Sequence, residues 1–372
     1  MFNNRAVGFF RKLFTPISAA SSRAKEFKYF SYMEAKAIFM RFGMTSLFET
    51  IEKETKGTQD ELTFTSVMSG RLPDAFTILG RIHDGAIDGG ITIPIFNAGE
   101  LKAHFTLNDL QALTRDGYSA AAASTETLLL NCPECLADYD KNNTMSLGVT
   151  AGAPYYLMCA FEAKTMDDLR GKKVAIGNPM FDRWAAALGM SGKSGSIEYI
   201  RWFERGVVDC IFGQMSWLNF SSFKDVVKVV VEDVSHGVVP TYSLMTVNKK
   251  SWADLSENQR RIIVKHMPDT IMRIVRAHQI AEKQGEEVAR AKGFKFVKLG
   301  PAYVKAWEDF KAKEVAAVTD SAKKRGVKSA DAIVKTNLDS LKKWEAIVDR
   351  LDHDPVKIAG ELRKEVYDKI KL

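Results

Sequence analysis

The chain uses one phrase twice. It reads Asp84-Gly85-Ala86-Ile87-Asp88 near its first third and Arg205-Gly206-Val207-Val208-Asp209 beyond its middle. Gly85 and Gly206 stand 121 residues apart, and so do Asp88 and Asp209. In both places an amphipathic helix pattern runs into the glycine, and an apolar stretch follows the aspartate. A glycine just past a helix end supplies the left-handed residue that closes it. The residues after it then open a strand. Two such units in equivalent contexts predict two similar α/β lobes. Clefts between domains are where small ligands bind.

A length of 372 residues suits two domains, and 46% hydrophobic with 27% charged residues is enough to bury two cores. The net charge of +7 is spread along the chain, in short runs such as Lys323-Lys324-Arg325 and Lys342-Lys343. Those runs read as solvated helix faces. No nucleic-acid-binding module accompanies them, so no nucleic-acid partner is expected. No stretch reaches the roughly 18 consecutive apolar residues of a membrane span. Arg5, Arg11 and Lys12 precede a short apolar run from Leu13 to Ala20, and Ser22-Arg23-Ala24 has small-x-small spacing. Residues 1–24 are therefore expected to be a weak leader, a signal-like segment for export.

Cys132-Pro133-Glu134-Cys135 has C-x-x-C spacing, but no second ligand pair completes a zinc site. A structural disulfide or two quiet thiols is expected there rather than redox catalysis. Cys159 and Cys210 lie in apolar stretches and read as core residues.

Along the chain, residues 25–33 and 61–67 alternate as strands, with a helix over 36–55 between them. A helix at 74–83 and a strand at 86–93 continue a β-α-β-α-β order, which implies a parallel sheet. Leu128-Leu129-Leu130 reads as a strand. Residues 173–177, 226–232 and 241–247 read as further strands. Ser256 with Gln259 suits a capping box that opens a long helix from about 257 to 291. Ile263, Met267, Ile271 and Val275 give it one buried face, and Pro268 is expected to kink or split it. After a strand at 294–297 the chain is helical to its end, with Trp307, Phe310, Val318, Trp344, Ile347 and Leu351 on its apolar face.

Residues 165–236 resemble the substrate-binding proteins of tripartite ATP-independent periplasmic (TRAP) transporters. The resemblance rests on Asp168-Leu169-Arg170-Gly171-Lys172-Lys173-Val174, Glu198-Tyr199, Gly206-Val207-Val208-Asp209, Phe223-Lys224-Asp225-Val226-Val227-Lys228 and Ser235-His236. Gly70-Arg71-Leu72 and Asp84 to Asp88 extend it into the first lobe, and the order holds over about residues 25–325. The resemblance implies an α/β, two-lobed periplasmic binding protein fold hinged by crossing strands and a long helix. It implies lobe 1 over 25–150 with a return segment at 241–330, lobe 2 over 151–240, and C-terminal helices over 331–372. It further implies an extracytoplasmic, periplasmic receptor that closes on a small organic solute, expected to be an organic acid, and hands it to TRAP membrane permease subunits.

The departures from the family pattern fall on the ligand site. Ala175 stands where the family places an arginine that pairs with a ligand carboxylate, a role suited to planar guanidinium. Gly213 stands where an asparagine is usual, and Tyr155 at a position that is often basic. Asn178 fits a polar family position. The expected ligand-binding residues are Tyr155, Asn178, Arg183, Trp184, Gln214, Trp217 and Asn219, with Tyr32 or Glu34 from the first lobe. Arg183 is the candidate to rescue carboxylate binding. The tyrosines and tryptophans are the candidate walls for a ring or a cation. A ligand-sensing or retired paralogue with no transported substrate is the alternative, and an enzyme on the same fold a more distant one. None of the six histidines sits in a hydrolase or metalloenzyme motif, so no catalytic residue, cofactor or metal is expected.

Overall fold

The computed structural model describes residues 24–194, 199–219, 223–240 and 242–370. The leader expected over 1–24 lies outside the described residues except for Ala24. In chain order the strands are β1 (Lys25–Ser31), β2 (Leu62–Met68), β3 (Gly89–Thr92), β4 (Thr144–Ser146), β5 (Val149–Thr150) and β6 (Tyr156–Cys159). There follow β7 (Lys173–Ile176), β8 (Ser191–Ser194), β9 (Cys210–Gly213), β10 (Val229–Val231), β11 (Tyr242–Asn248) and β12 (Lys295–Val297). They form two six-stranded sheets. The first has the order β2-β1-β3-β11-β4, with β5 also pairing β11; the second has the order β12-β10-β6-β9-β7-β8. Strands β1, β2 and β3 are parallel, as are β7, β8 and β9. The remaining pairs are antiparallel except for β10 with β12.

The repeated phrase does the same structural work in both sheets. Gly85 and Gly206 take φ of 71° and 68°. The residue after each glycine donates back into the helix it closes, Ala86 N to Arg81 O at 3.0 Å and Val207 N to Trp202 O at 2.8 Å. These are the six-to-one bonds of a left-handed C-cap. Each aspartate then joins the neighbouring parallel strand, Asp88 to Lys28 and Asp209 to Lys173.

Three passages connect the sheets. The segments 151–155 and 232–240 run antiparallel, held by Gly152 N to Val239 O at 3.0 Å, Tyr155 N to Gly237 O at 3.2 Å and His236 N to Tyr155 O at 2.9 Å. The third passage is the helix Glu257–Ala291, opened by the Ser256–Gln259 capping box. Ile263, Met267, Ile271 and Val275 on its first half pack in the core of the first sheet. Ala289 near its end packs in the core of the second. The helix runs through Pro268 without a break, with Pro268 itself buried and Met267 and Ile271 held in the core on either side. Tertiary packing thus outweighs one missing ladder bond. The helix also carries the chain to the second sheet, where β12 pairs with β10 rather than with the first lobe's strands.

Two other elements differ from the sequence reading. Leu128-Leu129-Leu130 is a π-helical turn, Thr127–Asn131, continuing the helix Gly117–Glu126. A short apolar run does not separate strand from buried helix by periodicity. Cys159 and Cys210 are buried as expected, but they also face each other across the β6–β9 ladder and form a disulfide. Cys132 and Cys135 form a second disulfide at the start of the helix Pro133–Lys141.

Candidate functional site

In open α/β sheets ligands bind beyond the carboxyl ends of parallel strands. At the second sheet, Tyr156 pairs with Gly213 across β6 and β9, which sets Tyr155 beside Gln214 at that edge. Strand β7 runs parallel to β9, so Asn178 leaves from the same edge. Three of the expected residues therefore come together. Trp217 follows in the turn Met215–Asn219 and meets the Tyr155 ring edge-on at 5.8 Å. Asn219, at the end of that turn, is exposed.

The amides are hydrogen-bonded. Asn178 Oδ1 caps the helix Pro179–Ala187 by accepting from Phe181 N at 3.1 Å. Its Nδ2 donates to Gln111 Oε1 at 2.8 Å, and Gln111 Nε2 donates to the His236 carbonyl at 3.2 Å. Gln214 Nε2 reaches the Ala153 carbonyl at 3.5 Å. His236 is fully buried and burial holds it near a pKa of about 3, so the ring is neutral. Its Nδ1 lies 3.1 Å from the Tyr155 carbonyl, which can only accept. Nδ1 therefore carries the proton, and Nε2 accepts from Tyr303 Oη at 3.0 Å.

Arg183 and Trp184 lie one turn further along their helix and face inward. Arg183 Nη2 is 2.6 Å from Glu314 and 3.0 Å from Asp109, and Nε is 2.9 Å from Glu314. Burial works against the guanidinium charge, but the bonds to Glu314 and Asp109 outweigh it and raise the Arg183 pKa. Trp184 is fully buried among Trp307, Phe310 and Tyr303, with ring centroids at 5.0, 5.1 and 5.7 Å. Both side chains thus serve the packing of the helix Pro301–Lys324 against the second lobe.

At the first sheet, the carboxyl ends of β1 and β2 open on a cavity of about 290 Å³ lined by Tyr32, Glu34, Lys36, Ala37, Gly70 and Leu72. Tyr32 meets Phe96 edge-on at 5.9 Å, and Glu34 pairs with Lys36 at 2.9 Å. A larger depression of about 630 Å³ lies elsewhere, lined by residues that include Leu113, Arg115, Trp307, Lys311 and Glu345. None of the strand-end residues lines it, so the strand ends and not the larger volume mark the candidate site.

The two edges meet at the hinge. Phe39, after β1, packs on Tyr242 with centroids 4.4 Å apart. Tyr242 packs against the cores of both lobes, the second of which includes Tyr155. His278, on the long helix, also packs against Phe39, with centroids 4.7 Å apart. Phe39, Tyr242 and His278 were not among the residues expected from the sequence. For His278 a signal existed. It continues the stripe Ile263, Met267, Ile271, Val275 by one more helical step, and Glu282 follows four residues on. Glu282 accepts from Met215 N at 2.8 Å and Ser216 N at 3.1 Å and so ties the Trp217 turn to the helix.

The family model for bacterial extracellular solute-binding protein family 7, DctP, matches residues 43–322. No curated protein sequence matches the chain. Among solved structures, a TRAP periplasmic solute-binding protein from Desulfovibrio salexigens superposes with a TM-score of 0.72 at 18% identity, covering 86% of this chain and 96% of that one. A TRAP solute-binding protein from Rhodoferax ferrireducens, in complex with copurified benzoate, gives 0.72 at 16% identity over 87% and 100% of the two chains. One from Bordetella bronchiseptica, with bound (R)- and (S)-mandelate, gives 0.67 at 19% over 86% and 99%. At these identities the likeness is one of fold.

Proposed function

The chain belongs to bacterial extracellular solute-binding protein family 7, and on that premise we propose that it is the periplasmic receptor of a TRAP transporter. It captures a small organic acid between its lobes by hinge closure and delivers it to membrane permease subunits. The observation that carries this reading is the convergence of Tyr155, Asn178 and Gln214 on one strand-end edge, joined to the other lobe through Tyr242, which packs on both cores and on Phe39. Relatives of the same fold hold benzoate, mandelate, orotic acid and pyroglutamate. Two disulfides suit an oxidising compartment.

The site differs from an arginine-paired one. Ala175 is buried in the second lobe's core, and Gly213 is covered by Met158 and Trp217. Aromatic faces and neutral amides therefore dominate the second lobe's contribution, with Tyr155, Asn178, Gln214, Trp217 and Asn219 as its lining. Binding without turnover is the expected activity.

A thermal-shift panel tests this. It comprises benzoate, mandelate, orotate, pyroglutamate, sugars and amines. A ligand that binds only the folded state raises the unfolding temperature. A rise with one or more acids, and no product after incubation, is expected. Silence across the panel, or conversion of a compound, contradicts the proposal.

A further inference from the structure

Resting on that reading, we infer that His278 is the polar anchor of the solute site and that the solute is an aromatic acid. The imidazole Nε2 would donate to its carboxylate, and its ring would lie against Phe39, Tyr242 and Tyr155.

Three observations converge on His278. Its Nε2 is buried and has no hydrogen-bond partner among the described residues. Leaving a buried polar atom unmatched costs about 1–3 kcal/mol, so such an atom in an ordered core calls for a reason. Its position is the second observation. His278 lies on the long helix between the half packed on the first lobe and the half that Glu282 ties to the second. The third is its company. Rings follow one another from His278 to Phe39 at 4.7 Å, Phe39 to Tyr242 at 4.4 Å, and Tyr155 to Trp217 at 5.8 Å, with Tyr242 packed against the cluster that holds Tyr155. This arc crosses the hinge from one lobe to the other. An aromatic ring entering it as the lobes part meets π faces on several sides. Its carboxylate then needs one N–H donor, and the amides of Asn178, Gln111 and Gln214 are bonded to one another or to the backbone. Arg183 is engaged by Glu314 and Asp109. Among the described residues of this arc, His278 Nε2 is the buried nitrogen without a partner, placed to meet the acid.

The test is calorimetric titration of benzoate into the wild-type protein, His278→Phe and His278→Gln, with the unfolding temperature of each unliganded protein recorded. His278→Phe keeps the aromatic packing and removes the donor; His278→Gln places an amide N–H near Nε2. Benzoate should bind His278→Phe about tenfold more weakly or worse, the loss of one hydrogen bond to a charged group. His278→Gln should recover most of it. Equal affinity in wild type and His278→Phe overturns the anchor role. Equal loss in both variants, with lowered unfolding temperatures, also overturns it, because His278 then only supports the fold. A wild-type protein that binds pyroglutamate but not benzoate overturns the aromatic class while solute capture stands. Silence across the whole acid panel removes the underlying reading as well.

Discussion

Asp209 Oδ2 accepts the backbone N–H of Lys173 at 2.7 Å, and its own N–H donates to the Lys173 carbonyl at 2.8 Å. Asp88 makes the same two bonds to Lys28, at 2.7 and 2.9 Å. The aspartate of each repeated phrase thus sets the start of one parallel strand against its neighbour. Asp209→Ala removes a charge-assisted bond of roughly 1.5–3 kcal/mol. Asp88→Ala should cost more, because Asp88 also accepts from Ser251 Oγ at 2.5 Å. The two sites lie in different sheets, so the effects should add in the double variant. Denaturant unfolding of the three variants checks this, and strong non-additivity would count against two independently built lobes.

Arg183 is a structural residue in this account. Its side chain is a quarter exposed, while Glu314 and Asp109 are almost fully buried. Arg183→Met leaves those two carboxylates buried without their strongest partner, a loss of about 3–5 kcal/mol. The unfolding temperature should fall sharply. A variant with unchanged unfolding temperature and abolished acid binding would return Arg183 to the ligand site.

Gly285 stands where the long helix crosses the Trp217 turn. A Cβ there would meet Ser216 Cα at 2.6 Å and the Met215 carbonyl oxygen at 2.7 Å, both backbone atoms. Alanine gains about 1 kcal/mol in helix propensity. Overpacking against a backbone that Glu282 already holds costs about 1–3 kcal/mol. Gly285→Ala should therefore destabilise, and a raised unfolding temperature would contradict the close approach.

Three histidines are buried and neutral. Burial lowers His104 and His236 to about 3 and His278 to about 4, against an ordinary value of 6.5. The unfolded chain takes up protons below pH 6.5 that the fold refuses. Their contribution is therefore complete above that pH and is lost as pH falls towards the folded values, by about 1.4 kcal/mol per pH unit for each histidine. The Glu282 carboxyl, raised by burial, acts in the opposite sense, so the informative quantity is a difference between proteins. From pH 7 to 5 the unfolding temperature of His278→Phe should fall less steeply than that of wild type. Identical slopes would mean that His278 titrates normally in the fold.

Local signals carried much of the fold into the sequence. The two Gly-x-x-Asp phrases marked a C-cap and a strand in each lobe, and Ser256 with Gln259 marked the start of the long helix. What stayed hidden depends on partners distant in the chain. Cys159 and Cys210 are 51 residues apart and meet only through strand register. Arg183 and Glu314 are 131 apart, so an arginine on a helix gave no sign of its carboxylates. Trp184 could be recognised as aromatic but not as core, because its burial depends on Trp307 and Phe310 from a later helix. His278 was legible as a stripe position, but its unmatched Nε2 is a property of three-dimensional packing.

A crystal structure of the protein grown with benzoate tests the central claim most directly. The account predicts ligand density at the strand ends between Tyr155 and Phe39, with the carboxylate within hydrogen-bond reach of His278 Nε2. Density instead in the depression beside Arg115 and Glu345, or clear binding in solution with the strand ends empty, would contradict it.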